Sequence, residues 1–364
     1  MNKKNGLSRR KTLIGAATAA LAAAAGKSAA SAQRAEPILE LHDGMVHLPA
    51  HTISPPTSIS EQARNYLRKG ADRPYVAPPD VKDTAAWHKA IDARAREVEA
   101  LFGPIEIFPG FPVETITMNG VTVYKVRPDK EPADSRKVHI FIHGGGWVQH
   151  SGKMARILAK IVAMQFGGTV YGVDYRTPPD HPFPAPLDDC LAVYKELLRN
   201  HAPNEILVSG ESAGGNLAAA LMHKVRDTGL PAPAALFLNT PATDLTGASD
   251  TLQTNQGVDV LLKVYSRNNA ELYAGGADIK HPYLSPLLGD LSKGFPPTYL
   301  RTGTRDLMLS DTVRMHAALR KAGVEADLYV CEAMPHAGLG GRTPEDADAR
   351  ADTVRWLNKH WPRN

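Results

Sequence analysis

Residues 205–222, EILVSGESAGGNLAAALM, decide the fold class of this chain. An apolar run typical of a buried strand leads to a serine, and an alanine-rich, helix-favouring run follows it. Ser212 stands between Gly210 and Gly214, so the hydroxyl has almost no side-chain bulk on either side. The pattern predicts a strand, a very tight turn that carries the serine, and a helix that begins there.

Strand and helix patterns alternate through most of the chain. Period-2 segments at 112–118 and 121–127 flank Asn119-Gly120, which predicts a hairpin. Further apolar strand patterns lie at 137–143, 169–176, 205–210, 233–240, 297–303 and 325–332, and helical patterns at 153–167, 187–200, 216–229 and 312–323. Because these strands alternate with helices and do not alternate apolar with polar residues, they predict a mostly parallel central sheet covered by helices on both faces, an α/β architecture.

Two helical patterns precede the sheet. Residues 58–70 predict a helix with Ser58 or Ser60 as its cap and Gly70 as its stop, and residues 83–103 predict a longer amphipathic helix. We therefore expect an N-terminal segment and helical cap over residues 33–110 and a catalytic domain over 111–364.

The serine calls for catalytic partners. A serine hydroxyl is a weak nucleophile unless a histidine takes its proton and an acid orients that histidine. Asp306 and His336 each follow a predicted strand, and the carboxyl ends of parallel strands meet at one edge of a sheet. Asp311 is the rival acid, but it falls in the first turn of a predicted helix, so we favour Asp306.

A run of glycines follows another predicted strand. HIFIHGGGW, residues 139–147, contains Gly144, Gly145 and Gly146, whose amides can turn toward a space that side chains would block. Acyl transfer passes through an oxyanion that needs such donors, and Ala213 after the serine offers a further N–H. The pattern predicts a serine hydrolase.

These motifs resemble those of the hormone-sensitive-lipase-like esterases of the α/β-hydrolase superfamily. The resemblance rests on HGGGW at 143–147, DYRTPPDHPFPAP at 174–186 and GESAGGNLA at 210–218, and it covers about residue 112 to the C-terminus. It implies an α/β-hydrolase fold, a catalytic triad of Ser212, Asp306 and His336, and oxyanion donors at Gly145, Gly146 and Ala213. Residues 298–337 are similar to a bacterial branch that includes esterases and ε-lactone hydrolases.

The chain departs from this family at two places. Glu211 precedes the serine, where the family usually has aspartate, and Ala337-Gly338 follow His336, where the family usually has an aromatic residue. Neither change removes a catalytic atom. We expect a carboxylesterase for small or medium acyl chains. A lactone hydrolase or amidase with the same triad is the alternative, and a non-catalytic binding protein on a hydrolase fold is the remote one.

The net charge of the chain and its first 32 residues predict where the protein is located and which partners it has. Residues 1–32 hold six of the 42 basic residues and none of the 38 acidic ones, which leaves 36 basic against 38 acidic residues. That near-neutral remainder gives no reason to expect nucleic-acid binding. Arg9-Arg10, a mild alanine-rich run and Ala30-Ser31-Ala32 predict a twin-arginine export signal over 1–32, hence a periplasmic or secreted protein without stable membrane insertion.

The cysteines, cofactors and assembly of the protein can also be predicted from the sequence. Cys190 and Cys331 are too few for a disulfide framework, and we expect two free, buried thiols. The predicted mechanism needs no metal or organic cofactor, and the expected partner is a small-molecule ester. A homodimer stays open as an alternative, because an edge strand of such a sheet can pair with a second copy. Trp147 could line the substrate pocket or pack beneath the cap.

Overall fold

The computed structural model describes residues 52–102, 108–131 and 135–361, and for residues 39–40, 46–47 and 101–102 only the backbone. The chain divides into two units, residues 1–53 and 54–364. In the first, β1 (Leu39–Glu40) pairs antiparallel with β2 (Val46–His47). The predicted export signal at 1–32 lies outside the described residues.

The second unit is built around an eight-stranded sheet. Its strands are β3 (Val113–Met118), β4 (Val121–Val126), β5 (Val138–Ile142), β6 (Thr169–Asp174), β7 (Ile206–Glu211), β8 (Ala235–Asn239), β9 (Thr298–Gly303) and β10 (Ala326–Cys331). The order across the sheet is β10-β9-β8-β7-β5-β6-β4-β3. The six strands from β10 to β6 run parallel, whereas β4 pairs antiparallel with both β6 and β3.

Nine α-helices accompany the strands among the described residues. They are α1 (Glu61–Ala71), α2 (Thr84–Phe102), α3 (Lys153–Phe166), α4 (Ala185–Leu197), α5 (Ala213–Asp227), α6 (Thr251–Thr254), α7 (Arg267–Ala274), α8 (Leu309–Lys321) and α9 (Pro344–His360). None of these described helices is long and apolar enough to cross a membrane.

Both faces of the sheet are buried. The central strands β5 and β8 have every side chain buried, as parallel strands between helical layers require. Ile140, Val208 and Leu238 belong to the core formed with α4, α5 and α8. Phe141 packs with α3, and Phe237 packs with α9, on the opposite face. The predicted architecture, a mostly parallel sheet between helices, is confirmed.

Helices α1 and α2 pack on the rest of the second unit through specific contacts. Ser60 caps α1, since its Oγ accepts from the N–H of Ala63 at 3.1 Å, and its own N–H and Oγ donate to Glu345 on α9 at 2.6 and 2.8 Å. Trp87 of α2 is buried in a cluster with Val148, which follows the glycine run. Helix α2 therefore contacts the segment that carries the candidate oxyanion residues, and α1 is tied to α9.

The two cysteines are free and buried, as expected from the sequence. Cys190 lies in α4 and Cys331 ends β10. Burial raises the pKa of both thiols, which keeps them in the unreactive protonated form at neutral pH.

Candidate active site

Ser212 lies in the tight turn between β7 and α5. Its backbone angles, φ 56° and ψ −120°, are unusual for a residue with a side chain. A Cβ at Gly210 would overlap the carbonyl oxygen of Gly214, and a Cβ at Gly214 would overlap that of Ile142. Both glycines flanking the serine are thus required by close backbone approach, which explains the sequence pattern at this turn.

The serine sits at the N-terminus of α5. Its backbone N–H donates to the carbonyl of Asn239 at 3.0 Å, and its carbonyl accepts from Asn216 at 3.0 Å. The first bond ties the turn to the end of the neighbouring strand β8, and the second belongs to the first turn of α5. The free N–H groups and the dipole of a helix N-terminus favour negative charge at this position.

Asp306 and His336 are joined by a hydrogen bond. Asp306 follows β9, His336 follows β10, and Nδ1 of His336 lies 2.9 Å from Oδ1 of Asp306. The carboxylate of Asp306 is fully buried, and it also accepts from the Thr302 hydroxyl at 2.6 Å and the Met308 N–H at 2.9 Å. The acid is therefore held rigidly against the imidazole.

The three predicted residues lie at the same edge of the sheet. β7, β9 and β10 are parallel, and each candidate follows the carboxyl end of its strand. The structure brings Asp306 and His336 into contact, but the Ser212 hydroxyl has no hydrogen-bond partner among the described residues, His336 included. Such serine–histidine bonds are often long without substrate and shorten when it binds.

Asp259 is a site residue that the sequence did not indicate. Its Oδ2 accepts from the N–H groups of Leu307 at 3.0 Å and His336 at 3.1 Å, so it ties the Asp306 loop to the His336 loop. Its Oδ1 accepts from two further backbone N–H groups, those of Leu261 and Leu262. Asp259 follows no strand, so only the tertiary fold reveals it.

Within the part of the chain that the structure describes, Asp259, Asp306 and His336 also form a cluster whose potential ligand atoms lie within 4.8 Å of one another. Every carboxylate oxygen of this cluster already accepts a hydrogen bond from protein donors. The geometry therefore fits orientation of the imidazole better than coordination of a cation.

Carboxylates dominate the electrostatics around His336. Burial disfavours the imidazolium, but the charge and hydrogen bond of Asp306, together with the charges of Asp259 and Glu211, outweigh it and raise the pKa of His336 to about 9. Burial in turn raises the pKa of Glu211. Glu211, which stands where the family usually has aspartate, therefore contributes to the raised pKa of His336 through its negative charge.

The glycine run forms the loop after β5. Gly145 and Gly146 have φ values of +111° and +58°, in the region that favours glycine. A Cβ at Gly144 would lie 2.9 Å from the carbonyl oxygen of Glu211, so this loop passes directly against the serine turn. The N–H groups of Gly145, Gly146 and Ala213 donate to no acceptor within the described ranges, which leaves them available to a ligand.

The residue after the glycines is a packing residue. Trp147 is buried, its ring stacks on Tyr273 with centroids 5.1 Å apart, and its Nε1 donates to Asn216 at 3.3 Å. The sequence left open whether Trp147 lines the substrate pocket or packs beneath the cap, and the structure shows it packed against α7 and α5.

Asp311, the alternative candidate for the catalytic acid, has a structural role. Asp311 lies in the first turn of α8, as its sequence context predicts, and is buried. Its Oδ2 accepts from the N–H groups of Thr243 and Asp244 at 2.7 and 3.0 Å, and its Oδ1 from the Ser249 hydroxyl. Asp311 anchors the segment after β8 and is not hydrogen-bonded to His336.

The chain is similar to known hydrolases in sequence and in fold. Residues 139–339 match a family described as having the alpha/beta hydrolase fold. An acetyl-hydrolase of Streptomyces hygroscopicus is 35% identical over 63% of this chain and 74% of its own length. The solved structure of an esterase, E25, is 35% identical with a TM-score of 0.76, covering 86% of this chain and 98% of that one.

A second solved structure comes from the hormone-sensitive lipase family. It is an esterase from the bacterial hormone-sensitive lipase family, 30% identical with a TM-score of 0.71, covering 83% of this chain and 99% of that one. The chain therefore belongs to the α/β-hydrolase fold family, and the resemblance to its hormone-sensitive-lipase-like esterases is confirmed.

Proposed function

We propose that this protein is a carboxylesterase in which Ser212, His336 and Asp306 act as a catalytic triad on esters of small to medium acyl chain. The observation that carries the proposal is the buried His336–Asp306 hydrogen bond of 2.9 Å at the sheet edge where Ser212 is presented. Relatives named esterase and acetyl-hydrolase support the same reaction class.

The reaction proceeds through an acyl-enzyme. Ser212 Oγ attacks the ester carbonyl while His336 Nε2 accepts the hydroxyl proton, and Asp306 holds the proton on Nδ1 and stabilises the imidazolium. The tetrahedral intermediate collapses, the C–O bond breaks, and the alcohol leaves with the proton from His336. Water then attacks the acyl group by the same route and releases the carboxylic acid and free Ser212.

The oxyanion is stabilised by the backbone. The N–H groups of Gly145, Gly146 and Ala213 carry no other acceptor among the described residues, and Ala213 begins α5, where the helix dipole adds positive potential. Loss of one such donor typically costs about 10²–10³ in rate.

Packing of the cap supports a limit on substrate size. Leu67 of α1 is buried in one cluster with Met334 and Leu339, on either side of His336, while Trp87 of α2 packs against Val148 beside the glycine loop. Helices held this closely to both halves of the site exclude water and restrict bulky esters. We infer that short and medium esters are turned over faster than emulsified long-chain fat.

The test is a series of p-nitrophenyl esters of rising acyl length, with ε-caprolactone and an anilide beside them. The wild-type chain should be most active on short acyl groups, and Ser212→Ala should lose about 10⁶ in turnover. Ser58→Ala, which alters an exposed serine, is the matched control and should keep full activity. Faster hydrolysis of the lactone or anilide than of any ester would overturn the substrate assignment, and Ser212→Ala with wild-type activity would overturn the triad.

A further inference from the structure

A cavity of about 250 Å³ lies on the face of the sheet covered by α3 and α9. Its apolar wall consists of side chains from α3 and from strands β5 and β8, among them Leu158, Val162, Phe141 and Phe237. Exposed backbone at Gly340 and Gly341 borders it and gives access from solvent. We call this space the α3–α9 cavity.

The polar end of the α3–α9 cavity begins at the residue before the serine. Glu211 accepts a hydrogen bond from Nδ2 of Asn239 at 2.7 Å, and Oδ1 of Asn239 accepts from Nε of Arg301 at 2.9 Å. All three side chains line the cavity. The chain of bonds holds the Arg301 guanidinium in place, with its Cζ 5.4 Å from the centre of the Phe237 ring.

Two guanidinium groups that line the α3–α9 cavity have N–H donors without a protein acceptor among the described residues. No described residue accepts a hydrogen bond from the Nη atoms of Arg301, and none forms an ion pair with it. Arg350 of α9 lines the same cavity, and it too has no acidic partner within the described ranges. Burial lowers the pKa of Arg301 more than the charges of Glu211 and Asp346 raise it, so a bound anion would relieve the remaining cost of keeping this charge inside the protein.

The acids of the cavity are already engaged. Asp346 accepts from the N–H of Leu339 at 2.9 Å through Oδ1 and from the N–H and hydroxyl of Thr343 through Oδ2. Glu211 accepts from Asn239, as described above. The donors that remain open are therefore cationic, and they stand beside an apolar wall.

We propose that the α3–α9 cavity binds a small monocarboxylate, with its carboxylate on Arg301 and Arg350 and its alkyl chain against α3. A carboxylate matches the paired N–H donors of a guanidinium in a planar, bidentate arrangement. The aliphatic and aromatic wall favours an alkyl chain over a hydrated inorganic anion. Neither Ser212 nor His336 lines this site, although Glu211 and Ala337 beside them do. Binding at this site goes beyond the proposed ester hydrolysis and does not depend on it, whereas the effect on rate described next rests on that proposed function.

The position of the cavity predicts how an occupant acts. It borders Glu211, whose charge acts on His336, but it lies on the opposite face of the sheet from α5. A bound carboxylate would change the rate without excluding substrate. Inhibition by the carboxylate should contain a non-competitive part, and Arg350→Met should abolish that part alone.

Binding is tested by calorimetry on the full-length Ser212→Ala protein with hexanoate, hexanamide and inorganic phosphate as probes. Hexanoate should bind saturably, whereas hexanamide, which has the same chain without charge, should bind at least about tenfold more weakly. Arg301→Met and Arg350→Met should each weaken hexanoate binding about tenfold or more. Arg355→Met, an exposed residue of the same helix paired with Asp352, should leave it unchanged.

Several outcomes would overturn the proposal. These are the absence of saturable hexanoate binding, equal affinity in Arg350→Met, and tighter binding of phosphate than of hexanoate. Arg301→Met removes a donor to Asn239 and could unfold the protein. Arg350→Met carries no such cost, because no described residue accepts a hydrogen bond from Arg350, so the test remains decisive.

Discussion

The imidazole of His336 is surrounded by carboxylates of different roles. Asp306 bonds Nδ1 directly, Asp259 bonds the backbone N–H of His336, and Glu211 acts through charge alone. All three negative charges favour the imidazolium, although burial opposes it. The pKa of His336 is consequently higher than its ordinary value of 6.5, and the pH dependence of the enzyme should report this.

Asp259→Asn should shift the acidic limb of the kcat/KM profile. Only neutral imidazole accepts the serine proton, so activity rises with pH through the pKa of His336 in the free enzyme. Removing the charge of Asp259 lowers that pKa, and the limb should move by about 1 unit toward acid. Asp311→Asn, a buried acid not bonded to His336, is the control. An unmoved limb, or an equal movement in both variants, would contradict the role given to Asp259.

Gly214→Ala should destabilise the fold and remove activity together. The added Cβ would overlap the carbonyl of Ile142, and overpacking of this kind costs about 1–3 kcal/mol or more. In Gly110→Ala the new Cβ meets only Asp129, at 3.9 Å, so this variant should unfold like the wild type. Urea unfolding measures both, and equal stability of the two variants would refute the steric reading of the turn.

For individual residues, the sequence predicted that Ser212, Asp306 and His336 lie at one edge of the sheet. Each of them follows a strand whose apolar residues make it recognisable in the sequence. Their catalytic roles stay predictions. Asp259 was not predicted, because its position depends on a loop between α6 and α7 that folds back onto the loop containing His336. A carboxylate that accepts backbone N–H groups leaves no spacing signal in the sequence.

Among the elements, the contact of α1 with α9 is specific enough to test. Ser60 caps α1 and also bonds Glu345, so Ser60→Ala removes a cap and a link between two helices. The expected loss is about 1–2 kcal/mol of unfolding free energy. Ser58 was the other cap candidate in the sequence, and it is exposed. Ser58→Ala should therefore leave the free energy of unfolding unchanged. A larger loss of that free energy in Ser58→Ala than in Ser60→Ala would show that Ser58, and not Ser60, caps α1.

The sequence predicted the alternating strands and helices of the second unit well, because its central strands are rich in apolar residues and its turns are marked by glycine and asparagine. The hairpin at Asn119-Gly120 is confirmed as β3 and β4. No pattern was assigned to α7 or α9. The capping box of Thr343 and Asp346, with Pro344 between them, was a readable start for α9, whereas α6, with four residues, has no period to detect.

For the whole molecule, buried neutral histidines couple the fold to pH. His139 lies under Trp361 and Phe166 with Nε2 2.6 Å from the Ser209 hydroxyl, and burial lowers its pKa to about 3. In the unfolded chain His139 binds a proton near pH 6.5, whereas in the folded chain it stays neutral. The free energy of unfolding therefore decreases as the pH falls below 6.5.

The stability difference between wild type and His139→Gln should accordingly depend on pH. It should be constant above about pH 7 and should shrink by about 1.4 kcal/mol per pH unit between pH 6.5 and 4. Taking the difference cancels the other titrating groups. Urea unfolding at a series of pH values gives the slope, and a difference that stays constant down to pH 4.5 would show that His139 is protonated in the folded protein.

The central claim is that Ser212 is a nucleophile activated by His336 and Asp306. Diethyl p-nitrophenyl phosphate tests it most directly, because each covalent event releases one p-nitrophenolate and leaves a phosphoryl group that peptide mass spectrometry can locate. The folded wild type should release one equivalent and carry the label on Ser212, Ser212→Ala should carry none, and Asp306→Asn should react far more slowly. A label on another residue, or none on folded wild-type protein, would contradict the claim.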